Sequence, residues 1–300
     1  MTEAEIAPVQ DQAQAEEPSV SYTIPGLSVV IPTYGPKGVE LTRNCIESLI
    51  RTHSHLIPGI EIITVSDGDE EMVMQALTEL ANETGTSLIR IERRGFAAAC
   101  NAGIRRSNGQ VGVFLVNNDI EFEVNTLQVL ADAMLANTAG IIGCRLLYPD
   151  RTIQHAGVVY VPANGQQVPG YFDHLLRYRF ELDVDAVVMH HGLVTGALMG
   201  IHRHFIERSG LLDERFPFTA EDIDLCLRAI ECGMPPVYCG YTYAIHREGA
   251  SRGRTMEEKI ELEPEIAKKE MDSLSFLFKK WIGFDFNQFV PGRGISVSRD

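Results

Sequence analysis

The chain has 300 residues, 45% hydrophobic and 22% charged, with a net charge of −15. That length and balance suit a globular protein with a sizeable core. The acidity excludes a broad nucleic-acid surface, which needs clustered Lys and Arg, and no apolar run is long enough to span a bilayer.

The first 24 residues, "MTEAEIAPVQDQAQAEEPSVSYTI", begin acidic and contain no apolar signal region. They read as a disordered tail. From Leu27 the pattern becomes regular. "LSVVIP" is a short apolar run bounded by turn residues. "VELTRNCIESLIRTH" then places Leu41, Cys45, Ile46, Leu49 and Ile50 on one helical face. "IEIITV" is the next strand. "EEMVMQALTELANE" is amphipathic, with Met72, Val73, Ala76, Leu77 and Leu80 in a stripe. "SLIRI", the small-residue helix "GFAAACNAGIRRS", "VGVFLV", the helix "NTLQVLADAMLAN" and "GIIGCR" complete the series. Strands alternating with helices predict βα units and a mostly parallel central sheet flanked by helices.

The second half is less regular. Residues 150–185 hold many Gly, Pro, Tyr and charged residues, which predicts hairpins and long loops. "AVVMHHGLVTGALMGIHR" and "PPVYCGYTYAIH" read as extended, and "AEDIDLCLRAIECG" as a helix. "REGASRGR" is a basic loop. Residues 256–300 read as a helical extension, broken near Pro264, and a loose tail. Cys45, Cys100, Cys144, Cys226, Cys232 and Cys239 form no C-x-x-C pair and read as reduced core residues of a cytoplasmic protein. His190, His191, His202 and His204 offer no clear fourth ligand and are assigned no metal.

In open α/β sheets, ligands bind outside the carboxyl ends of the strands. Pro32, Thr33 and Tyr34 follow the first strand, and Ser66-Asp67-Gly68 the second. Arg93 and Arg94 follow the third, and Asn117-Asn118-Asp119 the fourth. An aromatic, two acids, two arginines and a hydroxyl on one rim suit a nucleotide. Alone, each segment fits a bland reading better, a turn for the first, second and fourth and a solvated face for Arg93 and Arg94; their coincidence at successive strand ends shifts the balance.

"LSVVIPTYG", "VSDGDEE", "GFAAACNAGI", "LVNNDIEF", "GALMGIHRHFIERSGLLDERFPFTAEDIDLCLR" and "IHREGASRG" together resemble family 2 glycosyltransferases with the GT-A fold. The likeness leans to the rhamnosyltransferase-like branch and runs in order from about Leu27 to Gly253. It implies an inverting transfer of a sugar from a nucleotide diphosphate donor. The GT-A domain would cover 25–255, with a nucleotide-binding half at 25–145 and an acceptor half at 146–255.

Carried over by motif, Pro32, Thr33 and Tyr34 would border the base, and Asp67 would line the nucleoside pocket. Arg94, Asn117 and Asn118 would lie on the donor side. Asp119 matches the last acid of the D-x-D metal motif, and His246 a late metal- or diphosphate-binding His. Arg252 falls in the loop that follows. The resemblance implies Mn²⁺ or Mg²⁺, with His246 favouring Mn²⁺. Four departures stand out: Ser66 where the family often has a second acid, Arg93 where an Asn usually stands, Asn117 for the first acid of D-x-D, and no Q-x-x-R-W motif. The last favours non-processive transfer.

At the second cluster, Asp222 matches the catalytic base of the family's E-D pair, and Glu221 would position acceptor or sugar. The local sequence also fits a capping box between Thr219 and Asp222. Asp67 fits the N–H of uracil or thymine, which favours a UDP- or dTDP-sugar, but it also fits guanine or a ribose. The expected acceptor is a glycan, a lipid-linked glycan or a small molecule, met in the cytoplasm or at the inner face of the membrane. The rival readings are a sugar nucleotidyltransferase, which would need a basic loop where "PTYGPKG" has only Lys37, and a non-catalytic nucleotide-sugar binder.

Overall fold

The computed structural model describes residues 26–54, 59–163, 170–190, 192–247, 260–261, 264–291 and 296–298. His191 and Arg252, with the rest of the basic loop after Arg247, lie outside the described residues.

The first half alternates as expected: β1 (Leu27–Thr33), α1 (Pro36–Thr52), β2 (Ile60–Asp67), α2 (Glu71–Thr84), β3 (Ser87–Ile91), α3 (Phe96–Arg106) and β4 (Gly112–Val116). Then follow β5 (Ile120–Phe122), α4 (Thr126–Ala136), β6 (Ile141–Leu147), β7 (Ile153–His155), β8 (Val158–Val161) and β9 (Tyr171–His174). The rest is β10 (Val188–His190), β11 (Leu198–His202), α5 (Arg203–Ser209), α6 (Glu221–Glu231), β12 (Val237–His246), α7 (Ile266–Lys280) and β13 (Ser296–Ser298).

One sheet runs β13-β10-β12-β6-β11-β4-β1-β2-β3, with β5 added to β12 and β7 to β6. Along that path only β10 and β11 run against the others. The sheet is therefore mostly parallel, as expected. The pair β8–β9 stands apart as a hairpin.

The sheet is covered on both faces, which is why its central strands read as near-continuous apolar runs. Alternate residues of β1 enter different cores. Leu27, Val29 and Ile31 pack with Cys45, Ile46 and Leu49 of α1, and Val30 with Ala99, Cys100 and Ile104 of α3. Five of the six cysteines are buried and all are free thiols. The α2 stripe is narrower than its period implies: Val73, Leu77, Leu80 and Ala81 are buried, but Met72 is 79% exposed. Met72 stands in the first turn, clear of the sheet.

The small residues of α3 have a steric cause. A Cβ on Gly103 would sit 2.2 Å from Val30 Cγ1, so this helix lies against β1 more closely than a side chain allows. Gly103→Ala is expected to destabilise the fold by about 1–3 kcal/mol through overpacking. A lowered denaturant midpoint at unchanged slope is the signature; an unchanged midpoint would mean that α3 simply shifts.

The C-terminal segment belongs to the same core. Leu277, Trp281, Phe286 and Phe289 are buried with α3 and α6 residues. Ser296–Ser298, which read as loose tail, pair with β10 at the sheet edge.

Candidate active site

The ends of β1, β2 and β4 meet on one rim, tied together by side chains. Thr33 is buried, and its Oγ1 accepts from Asn118 Nδ2 at 3.0 Å and from Thr42 Oγ1 at 3.0 Å. Asn118 thus braces the β4 turn against β1. Tyr34, next to Pro32-Thr33, is 49% exposed, with the Arg93 guanidinium 3.4 Å from its ring centroid. This cation–π pair leaves an aromatic face at the rim.

Asp67 ends β2 and is buried. Its Oδ1 accepts from Arg94 N at 2.7 Å, and Oδ2 from Gly95 N at 2.9 Å. The carboxylate therefore caps the approach to α3, which has no cap from its own N-cap residue. The Arg94 guanidinium turns to Glu214, which Asn101 also holds through Nδ2 at 2.8 Å. The Asn101 hydrogen bond, helped by Arg94, keeps the Glu214 carboxyl below its ordinary range.

Sequence reasoning passed over Asp69. It is buried, and its Oδ1 accepts from Gly35 N at 2.6 Å while Oδ2 accepts from Ser66 Oγ at 2.7 Å. It locks the loop after β1 to the loop after β2. The one visible signal was a second acid in "SDGD".

Asp119 lies in the turn between β4 and β5 rather than ending the strand, which stops at Val116. It is nevertheless buried, and its Oδ1 stands 3.0 Å from His246 Nε2. On the other side of the ring, Nδ1 lies 2.7 Å from Gln154 Oε1, a carbonyl that must accept. Nδ1 then carries a proton, and Nε2 faces a carboxylate oxygen. Two acceptors at that distance need a proton or a cation between them.

Cis ligands of an octahedral Mg²⁺ or Mn²⁺ are about 3 Å apart when the bonds are about 2.1 Å. An imidazole oriented by an amide carbonyl is a common metal-ligand arrangement. The pair therefore fits a divalent cation with two protein ligands, the rest left to substrate oxygens and water. Among the described residues no group of three or more His, Cys, Asp or Glu gathers as a fuller metal cage. Gln154 was absent from the sequence reading, because its role follows only from β7 folding back on β6. Asn117 Nδ2 lies 3.5 Å from His246 Nε2, within the same cluster. Arg247, next along, donates its N–H to the Asp119 carbonyl at 3.0 Å and its Nη2–H to Glu121 at 3.0 Å.

The expected capping box is absent. The N-cap of α6 is Ala220, at φ 72°, and it makes no side-chain cap bond. Asp222 instead accepts from Gly196 N through Oδ2 at 2.8 Å, and from Ile223 N through Oδ1 at 2.8 Å. With Ala220 as the N-cap, Thr219 stands one residue outside the helix start. Burial pushes the Asp222 carboxyl above its ordinary range, partly offset by the Gly196 and Ile223 amides. Glu221, the first residue of α6, is buried.

Gly196 donates to Asp222, while the neighbouring Ala197 carbonyl accepts from Asn117 N at 2.8 Å. Two consecutive residues before β11 thus join the Asp119 cluster to the Asp222 cluster.

With this geometry in view, a family model described as glycosyl transferase family 2 matches residues 28–193, more than half of the chain. The chain belongs to glycosyl transferase family 2. The match contains Thr33, Tyr34, Asp67 and Asn117–Asp119, and ends before Asp222 and His246. This family 2 chain is 28% identical over 288 residues to uncharacterized protein y4gI of Sinorhizobium fredii, covering 92% of the chain and 30% of the relative. It is 28% identical over 238 residues to the O-antigen biosynthesis protein RfbC of Myxococcus xanthus, covering 76% of the chain and 18% of the relative. The chain therefore spans less than a third of the length of these relatives.

Among solved structures, the family 2 chain is similar in fold to the mannosyltransferase PcManGT from Pyrobaculum calidifontis, in complex with GDP-Man and Mn²⁺. That likeness has a TM-score of 0.58 at 15% identity, and covers 86% of this chain and 65% of the other. A second likeness, to TarS residues 1–349 of S. aureus, has a TM-score of 0.51 at 13% identity and covers 89% and 81%. The fold is the GT-A fold.

Proposed function

We propose that the chain transfers a sugar, with inversion, from a nucleotide diphosphate donor to a hydroxyl, with Asp222 as general base. The observation that carries this reading is the Gly196–Ala197 segment, which holds the Asp222 carboxylate and the Asp119 turn on either side of one backbone stretch. Family membership and the GDP-Man and Mn²⁺ in the PcManGT neighbour support the donor class.

In the proposed step, the acceptor O–H gives its proton to Asp222 as its oxygen forms the bond to the anomeric carbon. The bond from that carbon to the diphosphate oxygen breaks, and its electron pair leaves with the nucleoside diphosphate. Asp119 and His246 would hold Mn²⁺ or Mg²⁺, which when bound neutralises charge on the leaving diphosphate. Tyr34 offers the nucleoside an aromatic face. Asp67, already engaged by two backbone amides, shapes the pocket wall and keeps lone pairs for a base N–H or ribose. Pro32, Asn117 and Asn118 hold the strand-end turns.

A UDP- or dTDP-sugar donor, a glycan or lipid-linked acceptor, non-processive transfer and a rhamnosyltransferase-like lineage remain part of the proposal. The O-antigen relative supports the surface-glycan assignment, and action at the cytoplasmic side of a membrane belongs to the same proposal. No helix among the described residues is long and apolar enough to cross one.

A thermal-shift series with UDP, dTDP and GDP, each with and without Mn²⁺, tests the reading. One diphosphate is expected to raise the melting temperature only when Mn²⁺ is present, by the equivalent of about 2.7 kcal/mol at a hundred times its Kd. Failure of all three with either Mn²⁺ or Mg²⁺ overturns the donor assignment. Pyrophosphate release from a nucleoside triphosphate and a sugar phosphate would favour the nucleotidyltransferase reading instead.

A further inference from the structure

Three side chains at the C-terminal end of the fold converge on the helix that carries Asp222. Ser273 of α7 is fully buried, and its Oγ accepts from Phe218 N at 3.1 Å and Thr219 N at 3.2 Å. Trp281, the only tryptophan, donates Nε1–H to Asp224 Oδ1 at 2.9 Å. Lys280 Nζ stands 2.7 Å from the same oxygen and 2.8 Å from Asp213 Oδ2. Asp224 is wholly buried and also accepts from Arg228 Nε at 3.0 Å.

A helix normally secures its first turn with a side chain at its own N-cap. Helix α6 has none, and its entry passes through the left-handed Ala220. The entry is held from outside by α7 instead. We propose that Ser273, Lys280 and Trp281 are positioning residues that set where the Asp222 carboxylate stands; the inference rests on Asp222 being the base.

The geometry assigns them separate tasks. Asp224 follows Asp222 by two residues, so the side chains leave α6 about 200° apart. Anchoring Asp224 to Trp281 and Lys280 therefore fixes the roll of the helix and, with it, the direction of Asp222. Ser273 fixes the loop that feeds the helix and so limits its slide. A carboxylate roughly 5–6 Å from the helix axis moves by about 1 Å for each ten degrees of roll. A displacement of that size in a reacting group costs about a hundredfold in rate.

The test uses the full chain and two readouts. The first is hydrogen exchange at the Gly196 and Ile223 amides, which donate to Asp222. The second is Mn²⁺-dependent hydrolysis of UDP-, dTDP- and GDP-sugars, with water as acceptor. Ser273→Ala and Trp281→Phe are expected to speed exchange at Gly196 and to lower kcat by about ten- to a hundredfold. KM and nucleoside diphosphate affinity stay within about twofold, and unfolding stays cooperative. Ser273→Thr, which keeps the hydroxyl, restores most of the rate. In an Asp222→Asn background, Ser273→Ala produces no further fall, because it acts through Asp222. Unchanged exchange and kcat in both variants, beside a crippled Asp222→Asn, overturn this inference alone. Wild-type turnover in Asp222→Asn removes the base and this inference together. Should Trp281→Phe fail to fold, Ser273→Ala carries the test by itself.

Discussion

Asp222→Asn is expected to leave a folded, donor-binding protein whose transfer rate is lower by about a hundredfold or more. Asn keeps an oxygen for the Gly196 or Ile223 amide but takes no proton at neutral pH. Stability should fall by no more than about 1–3 kcal/mol, because one of the two amides loses its acceptor, and unfolding should stay cooperative. Burial holds the folded pKa of Asp222 above its unfolded value. Such a group stabilises the fold fully below the unfolded pKa, and that contribution is lost as pH rises through the folded pKa. The wild-type rate should rise with pH along a limb placed above the ordinary aspartate value of about 3.9, and the variant should lack that limb. Melting temperature, donor affinity and pH–rate profiles together decide the matter. A lower melting temperature with wild-type turnover per folded molecule would falsify the base assignment.

Asp119→Ala should abolish Mn²⁺ stimulation and reduce turnover by about a hundredfold or more, the scale seen when one stabiliser of developing charge is removed. The structure makes a further demand. With Asp119 gone, Nε2 of His246 loses its carboxylate neighbour, while Nδ1 keeps Gln154. Titrating Mn²⁺ by electron paramagnetic resonance in the presence of UDP, dTDP or GDP should show weaker ion binding in Asp119→Ala. His246→Ala should show a loss of similar kind. Equal Mn²⁺ affinity in wild type and both variants would leave the Asp119–His246 contact as an ion pair within the fold. Asp119→Asn keeps the shape and half the oxygens and should fall between.

Several neighbouring residues brace the site. Asp69 accepts from Gly35 N, Asn118 Nδ2 donates to Thr33, and Gln154 Oε1 accepts from His246. The Arg94 guanidinium pairs with Glu214 at the surface. A rim assembled from loops needs such braces, because a reacting group about an ångström out of place loses much of its effect.

The sequence alone determined the alternation of strands and helices, the parallel first half and the strand-end loops at Tyr34, Asp67 and Asp119. Those follow from local periodicity and turn chemistry, which neighbouring residues encode among themselves. Only the tertiary structure decided the rest. That Asp222 bonds the Gly196 amide depended on a residue 26 positions earlier in the chain. The orientation of His246 depended on Gln154, 92 residues away. The support of α6 depended on Ser273, Lys280 and Trp281, which arrive from the C-terminal end. Each of these is a hydrogen bond or ion pair whose partners meet only after the sheet has formed. Local spacing therefore carried no trace of them, and long-range packing decided them.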